Sequence, residues 1–481
     1  MRLPRLRAAA LALGLSTALA ACTTVGPDYA GPQSPTAAAP SATGAFASSR
    51  SGPFVDNPVP GEWWRLYADP RLDALVADAL KANTDLRVAA ANIEQAQARL
   101  REAGLSRQVQ TEIGGGVTLA RPSGTGGSLP GELGYNAGLS ASYEVDVVGR
   151  LKRLIEVAQA DSEAAQAAYD LARMTVVANV VGAYADACAA GFQKNAALRT
   201  LGVQERSLET TRRLMRGGRG TALDTTRAEA LVEQLRAVLP DFDSARQNAL
   251  FRLAVLAGRP PAEFPAEISQ CDTPPRIATP LPVGDGAALI RRRPDIRAAE
   301  REIAARSAVI GVAVAELYPQ VRLGGSLGVA SPFSSLGSAS SFSLSLGPLI
   351  SWSFPNRRIA HAHIDQAEAA ERAALAQFDG VVLEALRETE SALTNYGNEL
   401  RRHAALSAAR DDAAKAVGQA QKLYRFGREG YLTVLDAERT LAQAETALAA
   451  SGALISRQQV AVFKALGGGW EQQSAQPSAP K

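Results

Sequence analysis

Few residues in this chain have the types and spacing that chemistry at a fixed site demands. Gly324-Gly325-Ser326-Leu327-Gly328 spells a G-x-S-x-G nucleophile motif. A serine of that kind needs a strand-to-helix elbow and a histidine base. Ser326 instead sits in a strand-like run, and the only histidines, His361, His363 and His403, fall in long helical patterns. His361 and His363 are two apart and face different directions on a helix, unlike the i, i+4 spacing of a helical metal pair. No Gly-rich phosphate loop and no paired-cysteine metal motif occurs, so neither an enzyme nor a cofactor is expected. Asp436 stands out, just past a glycine-bearing turn, where the first half of the chain carries Arg227. Around a three-fold axis, one such residue per chain makes a ring of three carboxylates that favours cations and holds a narrow aperture. A solvated helix-start carboxylate, favoured by the helix dipole, has the same sequence signature.

The elements that would position such a ring begin with strands. From Ser341 to Phe354, apolar Phe342, Leu344, Leu346, Pro348, Ile350, Trp352 and Phe354 alternate with mostly small polar residues. Alternation at period two predicts a strand with one greasy face. At roughly 3.3 Å per residue it reaches some 46 Å, enough to cross a bilayer when tilted. Leu133 to Val147 alternates in the same way, and each stretch follows a shorter glycine-rich run, Thr111 to Ala120 and Val321 to Ala330. Two β-hairpins, 111–147 and 321–354, are predicted. Four strands cannot close a barrel, and lipid does not tolerate an open sheet edge. Two chains would give a cylinder filled by side chains; three would give twelve strands with room for water. A homotrimer is expected.

The first 21 residues read as a signal peptide, with Arg2, Arg5 and Arg7 before the apolar run Ala8 to Ala21. Leu19-Ala20-Ala21-Cys22 resembles a bacterial lipobox, which implies that Cys22 carries covalent lipid. Thr23, in place of an aspartate, points to the outer membrane. Without the signal peptide the formal charge of +3 falls to near zero, and nothing suggests a nucleic-acid surface. Residues 22–60, rich in Pro, Ala, Ser and Gly, are expected to be an extended tether. Cys188 and Cys271 could pair in an oxidising compartment, but one lies in a helical run and the other in a Pro-rich linker. The pairing stays open.

The remainder is helical and duplicated. Helix is predicted from about Gly149 to Arg216, on the order of 100 Å, with a turn at Arg216-Gly217-Gly218-Arg219-Gly220 and a return to about Ala257. Helix recurs from about Arg358 to Arg425, turns at Phe426-Gly427-Arg428-Glu429-Gly430, and returns to about Leu466. Asp85-Leu86-Arg87 reappears as Asp295-Ile296-Arg297, and Gly218, Leu223, Ala228 and Glu229 as Gly427, Leu432, Ala437 and Glu438. The chain is therefore a tandem repeat, 61–257 and 287–466, joined by a Pro-rich linker at 258–286 and followed by a flexible tail at 467–481. The predicted fold is mainly α with a transmembrane β-barrel portion. A trimeric 12-stranded barrel would continue into a long α-helical coiled-coil tunnel.

Several motifs now combine. Cys22-Thr23-Thr24-Val25-Gly26-Pro27-Asp28-Tyr29, Trp63-Trp64 with Asp69-Pro70, and Arg291-Arg292-Arg293-Pro294-Asp295-Ile296 resemble the TolC-like outer-membrane factors, NodT-type lipoprotein branch. Tyr143-Glu144-Val145-Asp146, Leu317-Tyr318-Pro319-Gln320, Trp352-Ser353-Phe354-Pro355-Asn356 and Leu432-Thr433-Val434-Leu435-Asp436 extend the match over the mature chain. Val148 stands where the family often has an aromatic, and Arg107 where it often has Pro. The resemblance implies the exit duct of a tripartite efflux pump. It implies a periplasmic adaptor and an inner-membrane transporter of the resistance-nodulation-division class as partners. It also implies a periplasmic gate at Asp436 and Tyr424, with Thr433 at the family's second acidic gate position. The turn glycines, Gly217, Gly218, Gly220, Gly427 and Gly430, permit tight reversal and close approach of an adaptor. A pore-free structural lipoprotein and a type I protein secretion duct are the alternatives. The paired hairpins favour a duct, since a spacer needs no membrane strands.

Overall fold

The computed structural model describes residues 24–120, 132–352, 354 and 357–471. The signal peptide, Cys22, the first hairpin tip and residues 472–481 lie outside these. In chain order the main elements are α1 (Pro70–Ala82), α2 (Thr84–Leu105), β1 (Gln110–Ala120), β2 (Glu132–Val145), α3 (Arg150–Arg216), α4 (Ala222–Ala237) and α5 (Leu239–Leu256). The second repeat supplies α6 (Gly286–Arg292), α7 (Pro294–Ala315), β3 (Gln320–Pro332), β4 (Phe342–Ser351), α8 (Arg357–Arg425) and α9 (Tyr431–Ala465). Where one returning helix was expected from Thr221 to Ala257 there are two. Pro240, in the first turn of α5, has no N–H to continue the ladder.

One compact unit comprises the chain up to Gln33, Asn92–Gln166 and Ala298–Phe378. Its centre is an antiparallel sheet of order β1-β2-β3-β4. The register aligns Ile113, Leu139, Leu327 and Leu344 across all four strands, and one residue along it aligns Glu112, Ser140, Ser326 and Ser345. Cross-strand partners share a face, so one side is an apolar band and the other is mostly polar. The band is open to its surroundings, with Leu346 89% and Ile113 84% exposed. Beyond the sheet, Arg153 is buried and donates to the carbonyls of Val25 (3.0 Å) and Gly26 (3.1 Å) and to Asp28 (2.8 Å). The Val25 N–H bonds the Val148 carbonyl at 3.0 Å. Residues 24–28 are thus fixed at the joint between β2 and α3.

The second unit comprises Ser34–Ala91, Ala167–Arg297 and the chain from Asp379. At its core Trp63 is fully buried and stacks on Phe463, with centroids 4.8 Å apart. Two parts of the sequence reading are corrected here. From Ser34 on, the expected tether is folded: Ser34 caps a short helix and bonds Asp379, and Phe46 and Val59 are buried. The Glu390 carboxylate accepts the N–H groups of Ala47 (2.7 Å) and Ser48 (2.9 Å). Phe54–Val55 pairs in parallel with Leu281–Pro282 of the inter-repeat linker. Apolar residues sparse enough to look like a linker suffice when a helical wall supplies the partners. The start of the tail is also packed, with Gly467, Gly468 and Gly469 buried. Arg292 donates to the Leu466 carbonyl and Arg293 to that of Ala465 at 2.8 Å, occupying carbonyls that the end of α9 leaves free. Cys188 and Cys271 form a disulfide that ties the linker to α3.

The long helices bury heptad rows in which alanine is the commonest residue. In α3 the buried positions include Arg153, Ala160, Ala167, Met174, Val181 and Cys188, and in α8 Ala360, Ala367 and Ala374. A seven-residue repeat is the signature of a coiled-coil seam, and alanine in it lets helices approach closely.

Candidate functional site

The site lies in the second unit, at the two turns between long helices. Both long helices end in the same cap. Gly218 and Gly427 take φ of +70° and +68°, a conformation that favours glycine. The N–H groups of Arg219 and Arg428 then reach back to Leu214 (2.9 Å) and Leu423 (3.0 Å). Gly217, Gly220 and Gly430 have no positive φ. Gly220 sits in a tight place, where a Cβ would lie 3.1 Å from the Met215 nitrogen. The turns restart differently. Thr221 and Asp224 form a reciprocal capping box for α4, whereas Gly430 opens α9 with no side-chain cap.

Asp436 and Thr433, both exposed on α9, share a cleft of about 620 Å³ with Arg227, Leu231 and Gln234 of α4. Arg227, the repeat counterpart of Asp436, therefore faces the same space. Asp436 accepts from Arg439 at 2.5 Å, and the Thr433 hydroxyl donates to Glu429 at 3.2 Å. Tyr424 does not line the cleft; its ring meets Tyr431 edge-on at 5.1 Å. Ser326 bonds Ser345 at 2.8 Å on the sheet, and His363 pairs with Glu316 at 2.7 Å.

The group that sequence reasoning passed over is Glu438. It is buried, with the Ser207 hydroxyl donating to one oxygen at 2.7 Å and Gln421 to the other at 3.4 Å. Tyr431 shares a 2.5 Å hydrogen bond with the same Ser207 hydroxyl. Burial pushes the Glu438 carboxyl above the usual carboxylate range, against the hydrogen bonds from Ser207, Gln421 and Gln204. Leu201 and Leu208 of α3, Ala228 and Val232 of α4, and Leu435 of α9 form one apolar cluster, against which Tyr431 packs. The signal was present in the duplication: Glu438 corresponds to Glu229, but Gln421 stands where the first repeat has Arg212.

A four-stranded sheet with an open apolar face, together with a pair of long helices in each repeat, fits an outer-membrane channel subunit. Residues 75–259 and 287–468, one stretch in each repeat, match the family described as outer membrane efflux protein. The chain belongs to that family, whose place is the outer membrane with a helical extension into the periplasm. It is 29% identical to Nodulation protein T of Rhizobium leguminosarum bv. trifolii, over 88% of this chain and 90% of that one. It is 31% identical to the pyoverdine export outer membrane protein OpmQ of Pseudomonas putida, over 96% and 97%. The solved outer-membrane channel OprN superposes with a TM-score of 0.83 at 35% identity, covering 93% of this chain and 99% of that one.

Proposed function

We propose that the chain is the exit duct of a tripartite efflux system, carrying small molecules passively through the outer membrane. Three copies close a twelve-stranded barrel, and their helices continue it as a periplasmic tunnel. The carrying observation is the sheet, whose register gathers apolar residues on one face and whose outer strands β1 and β4 each have an unpaired edge. Neither feature is stable alone, and lipid against one and a second copy against the other satisfy both. The lipobox-like Leu19-Ala20-Ala21-Cys22 supports a covalent lipid on Cys22. A duct of this kind contributes a wall, a polar lumen and a closable end, and uses no catalytic group. Asp436 forms the gate ring, with Thr433 beside it and Tyr424 holding the turn. The turns receive a periplasmic adaptor, which joins the duct to an inner-membrane transporter of the resistance-nodulation-division class. The relative OpmQ is named for pyoverdine export, which favours small-molecule cargo over protein.

The test is single-channel conductance in a planar bilayer, wild type beside Asp436→Ala. A small wild-type conductance that rises several-fold in the variant supports both duct and gate. Equal conductances remove the gate from Asp436. No conductance from well-folded trimers leaves a structural lipoprotein.

A further inference from the structure

At the joint between β2 and α3 the chain supplies its own anions. Arg150, which opens α3, is held by Glu144 at 2.5 Å. The Asp146 carboxylate accepts the N–H groups of Leu151 (3.1 Å) and Lys152 (2.9 Å). Tyr143-Glu144-Val145-Asp146 corresponds to Trp352-Ser353-Phe354-Pro355 in the second repeat, at the spacing that relates Gly218 to Gly427. Both carboxylates are gone from that stretch, yet Arg357 and Arg358 open α8. The first turn of α8 contains no acid, and neither arginine forms an ion pair with a described residue. Both are exposed, and the helix dipole disfavours cations at this end. The second joint therefore keeps the cations of the first without its anions.

Arg357 lines a cleft of about 390 Å³ with Tyr318, Gln320, Trp352 and the Glu316–His363 pair. Trp352 and Phe354 continue the apolar alternation of β4 past Ile350, with ring centroids 5.2 Å apart and more than half of each side chain exposed. The Trp352 indole N–H donates to the Leu317 carbonyl at 3.2 Å, which fixes the ring. Aromatic residues bordering an apolar band mark the level at which lipid meets water. Arginines at that level meet phosphodiester anions, which a guanidinium binds through charge-assisted hydrogen bonds. We propose that this joint binds the headgroup of an ethanolamine-type glycerophospholipid, one per chain. Its phosphate takes the place that the first repeat gives to carboxylates, between Arg357 and Arg358, and its acyl chains lie along Trp352, Phe354 and the open face of β4. Glu316 gives the cleft a negative end, which receives the headgroup amine. The inference rests on the membrane placement of the sheet, not on the gate.

The test is native mass spectrometry of the full-length protein in detergent, titrated with phosphatidylethanolamine or phosphatidylglycerol. The wild type is expected to retain phosphatidylethanolamine, saturating at one per chain, and to hold it more tightly than phosphatidylglycerol. Arg357→Gln with Arg358→Gln removes the charge-assisted bonds and should weaken retention by about tenfold or more. Ser353→Glu copies the first repeat's acid and should displace the lipid with both arginines in place. Retention that is unchanged in both variants would overturn the proposal, as would equal or tighter binding of phosphatidylglycerol. Displacement of the lipid by inorganic phosphate alone would assign the arginines to a free anion. Loss of trimers in the arginine variant would assign them to the contact between copies. Either result overturns the lipid site. Conductance keeps the duct reading separate. A conducting channel that retains no lipid fails here alone, whereas a folded trimer that retains lipid without conducting fails only as a duct.

Discussion

In the first turn, Arg212 on α3 reaches Glu229 on α4 at 2.8 Å, and both side chains are nearly half exposed. In the second, Gln421 on α8 faces Glu438 on α9 at 3.4 Å, and the carboxylate is buried against Ser207 and Tyr431. Gln421 in place of Arg212 is one of the differences between the duplicated segments. An exposed ion pair contributes little but keeps its charge satisfied in any nearby geometry. A buried acid with only neutral partners bears a desolvation cost, and it loses that cost as soon as water reaches it. The second turn therefore carries a costly buried acid where the first carries an exposed, satisfied pair. The disulfide deepens the contrast, because Cys188 pins α3 to the linker and α8 contains no cysteine. The gate proposed at Asp436 lies in the second hairpin, which has no such tie.

The disulfide should give the largest effect. Its cysteines are separated by 83 residues, and closing a loop of that size stabilises by about 4 kcal/mol in the chain-entropy account. Cys188→Ser with Cys271→Ser is expected to lower the thermal midpoint in detergent by several degrees, and reductant should do the same to the wild type. If conductance and its Asp436 dependence survive that loss, the first repeat's anchoring is structural and the second turn gates independently. A variant that conducts like Asp436→Ala would erase the distinction between the repeats.

The strands, both long helices and the duplication were legible because each rests on a periodicity. The pattern from Phe342 to Ile350 falls on one face of β4, and Arg150–Arg216 forms one continuous helix. Residues 34–60 were misread because their burial depends on Asp379, Glu390 and the linker, partners far away in sequence. The disulfide stayed open for the same reason: only the fold brings a helical cysteine to one in a Pro-rich segment. At the turns, Asp436 drew attention as a charge reversal against Arg227. Glu438 is unchanged between repeats, so its altered state shows only in its neighbours, Gln421 and Ser207.

A middle-sized effect comes from pH. Because folding raises the Glu438 pKa above its ordinary value near 4.5, the folded state holds the proton more tightly than the unfolded chain. Its favourable contribution is complete below the unfolded pKa and is lost as pH rises through the folded one. Between the two, stability falls by up to about 1.4 kcal/mol per pH unit. Glu438→Gln should remove that slope, so the difference between wild-type and variant melting curves grows as pH rises above about 4.5. Identical slopes would mean that Glu438 is solvated in solution and that the two turns do not differ as drawn.

The smallest effect belongs to the first turn. Arg212→Gln copies the second repeat's residue into the first and removes an exposed pair, so it should cost about 0.2–1 kcal/mol, and less in high salt. Glu229 is half exposed, so water replaces the lost guanidinium. A loss well above that range would mean that the pair is shielded from water and that the two turns do not differ as drawn. Within the range, glutamine opposite a glutamate is not enough to make a buried acid, and Ser207 and Tyr431, whose counterparts Ala416 and Ala222 cannot hydrogen-bond through their side chains, are what set the second turn apart.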